Sequence, residues 1–282
     1  MISHGHTDHI GAAVIHARAK ALSSTPATYY VPSAILEHLQ AARAAFEAMD
    51  GGPIPMNIVA VDPGAEFMIS PNIKAKVIQT QHRVPSQGYA LYSISQPRLL
   101  EEYQGLPPNE LRDLKKLGVK IVGEREEHLE MVYTGDTTFT GLLTPENRFI
   151  FDAPILIMEL TYLDRDIAKA VQYGHVHIQD IVENADVFNN DQIVFVHLSQ
   201  RYNVSSALSI LRSNLPVEIA ERAKVSLYSF GAREMLTDIL PRRRDSYSSH
   251  SSSGRYSGGG RGGGKGGGGD YQQQYRKQKK SF

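Results

Sequence analysis

The sequence predicts an α/β layered protein, and two observations carry that expectation. Short β-branched runs alternate with helix-patterned segments along most of the chain, the mark of strands and helices interspersed around a sheet. Three later runs stop at a polar residue able to do chemistry: MVYT leads to Asp136, ILIME ends at Glu159 and IVFVH ends at His197. In α/β proteins such strand ends open into one crevice.

Taken in order, residues 10–22 (IGAAVIHARAKAL) are Ala-rich with apolar spacing and predict a helix, and residues 32–48 (PSAILEHLQAARAAFEA) predict a second. Strands are expected over 57–61 (NIVAV), 73–80 (IKAKVIQT) and 88–95 (GYALYSIS). IKAKVIQT alternates apolar and polar residues as a half-buried strand does. Residues 97–128 are polar, charged and broken by Gly and a Pro pair, so they read as an insertion protruding between two core strands. Two short helical patterns follow between 163 and 190. Residues 1–240 thus form one globular unit. Residues 241–282 are Gly- and Ser-rich, with no apolar set to offset chain entropy, and are expected to be a disordered tail.

The formal net charge of zero hides an asymmetry. Residues 242–280 carry ten Lys/Arg against two Asp/Glu, which leaves twenty against twenty-eight elsewhere. Arg and Tyr interleaved with Gly in that tail offer charge for phosphates and rings for base stacking, so non-specific RNA contacts are expected there. The chain has no cysteine, which excludes disulfides, thiolate metal sites and cysteine nucleophiles. No run of eighteen apolar residues exists to span a membrane.

The chemistry concentrates in the opening SHGHTDHIG. His4, His6, Asp8 and His9 are four metal-ligand types within six residues, and Gly5 lets the backbone bend between them. His-x-His sets two imidazoles on one side of an extended segment, and Asp8 and His9 follow on the turn into a helix. The candidate partners are His82, after the strand IKAKVIQTQ; Asp136, in YTGDTT; and His197. Five histidines and two aspartates suffice for two metal ions, with Asp136 placed to bridge them. Imidazole with carboxylate suits Zn²⁺, with Mn²⁺ or Fe²⁺ as alternatives. His16, His38 and His128 lack partner spacing and read as ordinary surface or helix histidines. His177 is as well suited to support the site as to lie on the surface.

This series of motifs resembles the metallo-β-lactamase superfamily and, within it, the short plant-type tRNase Z enzymes. The resemblance rests on SHGHTDHIG, HRVPSQGYALYS, YTGDTT, LIMELTYLD, YGHVHIQDI and VHLSQRY, the last with Leu198 where the family has Phe, and it covers residues 1 to about 240. It implies an αββα sandwich and a zinc-dependent endoribonuclease that removes 3′ trailers from precursor tRNA, leaving a 3′-hydroxyl on the tRNA. It implies two Zn²⁺ per chain: one held by His4, His6 and His82, the other by Asp8, His9 and His197, with Asp136 between them. It also implies that Asp8 orients or activates the attacking water, and that His175, fixed by Glu159, donates a proton to the leaving 3′ oxygen. A buried Glu159 that merely accepts from backbone donors is the plainer alternative. Ser199, Arg201 and Tyr202 are candidates for shaping the site or gripping phosphate, with a structural ion pair as the alternative for Arg201.

The same resemblance implies that 97–128 is an arm clamping the tRNA elbow across a homodimer. It implies strands ahead of the first histidine motif, so Met1 is expected to be an internal methionine taken for a start. Cytoplasm, nucleus and organelle all stay open as compartments. The competing expectations are another hydrolase of the superfamily and a non-catalytic RNA-binding remnant.

Overall fold

A computed structural model describes residues 1–22, 26–227 and 236–240. The tail beyond 240, with its RNA-contact expectation and His250, lies outside the described residues. Ten strands make two sheets among the described residues. The small sheet pairs β1 (Thr28–Val31) with β2 (Asn57–Ala60) in parallel. The large one comprises β3 (Glu66–Ser70), β4 (Ile73–Gln79), β5 (Gln87–Ile94), β6 (Glu127–Tyr133), β7 (Ile155–Glu159), β8 (Gln192–Val196), β9 (Ala223–Ser226) and β10 (Leu236–Asp238), paired sequentially from β3 to β10.

β3 to β6 pair antiparallel, and β6 to β9 pair parallel through helical crossovers. The parallel strands ILIME and QIVFV are the near-continuous apolar runs that a sheet covered on both faces requires. β4 is antiparallel to β5 and β5 to β6, so β4 runs the same way as β6, β7 and β8. The C-terminal ends of those four strands therefore share one edge of the sheet. The segments carrying His82, Asp136, Glu159 and His197 leave from that edge.

The helices supply the outer layers. The first predicted helix arrives as two, α1 (Thr7–Ile10) and α2 (Ala13–Ala21), with the Gly11 amide closing the first turn on the Thr7 carbonyl. The second is α3 (Leu36–Asp50), ended by Gly51 in the left-handed region at φ 72°. Ala13, Val14, Ala17 and Leu39 from α2 and α3 pack on Tyr29 and Val31 of the small sheet. Beyond the arm helix α4 (Pro108–Lys116) come α5 (Phe139–Leu142), α6 (Ile167–Tyr173), α7 (Ile178–Glu183), α8 (Val204–Asn214) and α9 (Val217–Ala220). Leu142, Ile181, Leu211 and Ile219 bury against Leu156, Ile193 and Phe195 of the large sheet. Val61, Val77 and Tyr89 join the two sheets, giving the αββα order. α8 starts on a reciprocal cap in which Asn203 and Ser206 satisfy each other's amides.

Residues 97–128 lie between β5 and the start of β6 and are mostly exposed or half-buried. Their base extends the β5–β6 pair by a bridge between Leu99 and Val122, and α4 at their tip has no buried residue. Among the described residues no helix is long and apolar enough to cross a membrane.

Candidate metal centre

The N-terminal segment is the seam between the sheets. The Ile2 amide donates to the Tyr30 carbonyl, and the Gln87 amide donates to Ser3. That pairing delivers His4 to the edge where the strand ends meet. Asp136 arrives through a Gly135 turn at φ 63°, where a Cβ would lie 2.8 Å from Ser3 Cβ. His197 is the one non-glycine residue with positive φ among the described residues, at 60°. Left-handed backbone at a histidine costs about 1 kcal/mol or more and persists where the surroundings over-determine it.

All seven predicted ligands converge. His4, His6, His82 and Asp136 offer ligand atoms within 4.8 Å of one another, as do Asp8, His9 and His197. Asp136 Oδ2 is 3.7 Å from His4 Nε2 and 3.4 Å from both His9 Nε2 and His197 Nε2, so it sits between the two groups. Asp8 Oδ2 lies 3.2 Å from His197 Nε2.

Three of the imidazoles are steered from behind. His82 Nδ1 donates to the Gly174 carbonyl at 2.8 Å, which leaves Nε2 bare toward the cluster. His4 Nδ1 meets the Ser3 hydroxyl at 3.1 Å. His197 Nδ1 lies 2.9 Å from Thr161 Oγ1. Thr161 in turn donates to Glu159 Oε2 at 2.6 Å, so one hydroxyl links that histidine to the carboxylate.

The donor set fits metal ions. Both oxygens of the buried Asp136 and Nε2 of His9 are buried without a hydrogen-bond partner. Native interiors rarely tolerate such orphans unless something binds there. Burial pushes His4 down to about 3, and burial with neighbouring imidazoles lowers His6 and His82, so these rings are neutral, the form that binds metal. Burial alone would raise Asp136, but His9, His197 and His4 outweigh it and hold the carboxyl well below the usual range.

Beside the cluster, Glu159 makes both predicted contacts. It accepts from the Thr137 amide at 2.9 Å and the Val176 amide at 3.2 Å, and from His175 Nδ1 at 2.9 Å. Burial works to lower the His175 pKa, but the bond to Glu159 and the charges of Glu159 and Asp136 prevail and raise it.

The remaining candidates divide. Tyr202 is buried, and its hydroxyl accepts from the Leu163 amide. Arg201 is tied to Asp164 at 3.2 Å and Asp166 at 2.9 Å, the structural pairing. The Ser199 amide donates to the Thr161 carbonyl at 3.2 Å. His177 is buried and caps α7, so it belongs to the scaffold. His128 is exposed beside Glu126, whereas His16 bonds the Tyr29 hydroxyl at 2.6 Å. Sequence patterning missed Ser3, Thr161 and Gly174. Only the spacing Glu159-x-Thr161 at the end of β7 signalled one of them.

The fold and this cluster define a metal-dependent hydrolase of the metallo-β-lactamase type. Residues 1–198 match the family described as the beta-lactamase superfamily domain. The metallo-β-lactamase fold protein YhfI of Bacillus subtilis superposes with a TM-score of 0.51 at 17% identity, covering 79% of this chain and 72% of its own. tRNase Z TRZ1 of Arabidopsis thaliana is 37% identical over 206 residues, covering 72% of this chain and 73% of that protein. The chloroplastic tRNase Z TRZ2 of the same plant is 31% identical over 206 residues, or 72% of this chain, which spans 58% of that protein's length. The chain belongs to the tRNase Z family of the metallo-β-lactamase superfamily.

Proposed function

We propose that the chain is an endoribonuclease that cleaves precursor tRNA at the start of its 3′ trailer, using two Zn²⁺ or, as an alternative, Mn²⁺. The observation that carries this is the pair of ligand groups meeting at a buried Asp136 beside a Glu159-buttressed His175, in a chain 37% identical to a protein named tRNase Z. His4, His6 and His82 would hold one ion and Asp8, His9 and His197 the other, with Asp136 shared. Bound there, the ions supply positive charge to the scissile phosphate and lower the pKa of water.

The chain's own groups do the rest. Asp8, the exposed carboxylate of the set, accepts from the attacking water and orients it. His175 protonates the departing 3′ oxygen. Its raised pKa keeps that proton in place further toward neutral pH, and Glu159 fixes the ring through Nδ1. The products are a tRNA 3′-hydroxyl and a trailer 5′-phosphate. The proposal extends to a homodimer in which the segment around α4 contacts the body of the tRNA.

The test is cleavage of precursor tRNA bearing a 3′ trailer, with Asp8→Ala alongside and Zn²⁺ or Mn²⁺ supplied. The expected result is a single cut at the trailer junction, reduced about 10³-fold or more in Asp8→Ala. A parent that binds the RNA and leaves it intact would contradict the proposal.

A further inference from the structure

Arg201 is committed to two carboxylates, whereas another side-chain cation beside the cluster is not. Arg83 follows His82 directly and is exposed. Its guanidinium lies over the Tyr173 ring at 5.5 Å, and among the described residues no carboxylate pairs with it. Lys169 and Arg201, by contrast, are both bonded to Asp166. Arg83 and His82 share the wall of an open groove of about 470 Å³, whose other lining includes Gln79, Gln81 and Ser86. The groove's single acidic residue, Asp62, is engaged by the Ser33 amide and hydroxyl. Arg83 is its single basic residue.

The placement has a direction. Gly174, at φ 72°, lets the chain pass so close that a Cβ there would sit 3.2 Å from the Arg83 amide nitrogen and 3.1 Å from His82 Nδ1. The next residue is His175. A guanidinium that rests beside a ring and pairs with no carboxylate has donors to offer two phosphate oxygens.

We propose that Arg83 is a substrate-positioning residue that binds the phosphodiester on the tRNA side of the scissile bond, next to the nucleotide that becomes the new 3′ end. The assignment of side rests on the function proposed above, because His175 serves the oxygen that stays with the tRNA. Unpaired RNA running past His175 into the groove places that phosphate against Arg83. The trailer leaves from the opposite side.

The experiment uses metal-loaded protein and RNAs it cannot cut, read by fluorescence anisotropy. The probes are product tRNA ending at the new 3′-hydroxyl, the same tRNA with a neutral methylphosphonate at its last linkage, and a trailer oligonucleotide with a 5′-phosphate. Arg83→Gln is expected to bind product tRNA about tenfold more weakly than the parent, and Arg83→Lys to fall between them. The parent should lose a similar factor on the methylphosphonate tRNA, while Arg83→Gln loses little more. Trailer affinity should stay unchanged. Equal product binding by Arg83→Gln and parent would overturn the assignment, as would additive losses from the variant and the methylphosphonate. A loss confined to the trailer would overturn the assigned side. Cleavage of precursor tRNA by the parent is scored separately, so failure of the nuclease proposal is not confused with failure of this one.

Discussion

The candidate metal centre and the segment 97–126 between β5 and β6 border the same large sheet and obey opposite rules. At the centre, His4 and Asp136 are buried at 0% and 1% exposure, neither carboxylate oxygen of Asp136 has a hydrogen-bond partner, and His197 is in the left-handed region. The arm buries nothing along α4. Its ion pairs, Lys116–Asp113 and Lys120–Glu124, have side chains at least two-thirds exposed. Buried unpaired charge is expensive, whereas exposed pairs contribute about 1 kcal/mol or less. The centre therefore trades stability for a preorganised cation site, and the arm adds surface at little cost to the fold. Mutations should separate the two: chemistry and metal at the centre, substrate affinity alone at the arm.

The largest effect is expected from Asp136→Ala. Losing the shared carboxylate should lower cleavage about 10³-fold or more and abolish most of the rise in Tm that Zn²⁺ gives the parent. A variant still stabilised like the parent would show that the two ligand groups work independently of Asp136.

His175→Ala should come next, lowering kcat about 10²- to 10⁴-fold while metal content stays at the parent level. The pH dependence follows from the Glu159 contact. A general acid works below its folded pKa, so kcat falls as pH rises through that value. Burial alone would lower His175, and Glu159 is the main group raising it. Glu159→Gln should therefore move the descending limb to lower pH. A limb that stays in place in a folded Glu159→Gln protein would assign it to another group.

The smallest effect on the fold should follow replacement of residues 99–122 by a short turn joining the extended β5–β6 pair. KM for precursor tRNA should rise about tenfold, while turnover of a small phosphodiester and Tm stay near parent values. A large drop in Tm would show that the arm packs more tightly than its exposure indicates.

The same contrast explains what the sequence revealed. The seven candidate ligands could be named from the sequence because metal chemistry limits which side chains can serve, and they meet in space because the ends of β4, β6, β7 and β8 lie on one edge. β7 and β8 were legible because parallel strands buried on both faces read as unbroken apolar runs. β1, β3, β9 and β10 were not: TYYV is short and stops at Pro32, EFMIS at the sheet edge is mostly exposed, and β9 and β10 span only four and three residues. Thr161 and Gly174 were hidden for another reason. Their roles depend on a hydroxyl and a carbonyl meeting His197 and His82 across the fold, and neither residue type announces such a contact. Arg201 was drawn toward phosphate by its position near His197, but the local carboxylates Asp164 and Asp166 hold it.

The most direct measurement is the metal content of the purified chain after equilibration with Zn²⁺, counted per protein molecule. Two ions per chain, falling to one or fewer in Asp136→Ala, is the predicted result. A parent that retains none, or that holds the same number as Asp136→Ala, would contradict a two-ion centre shared through that carboxylate.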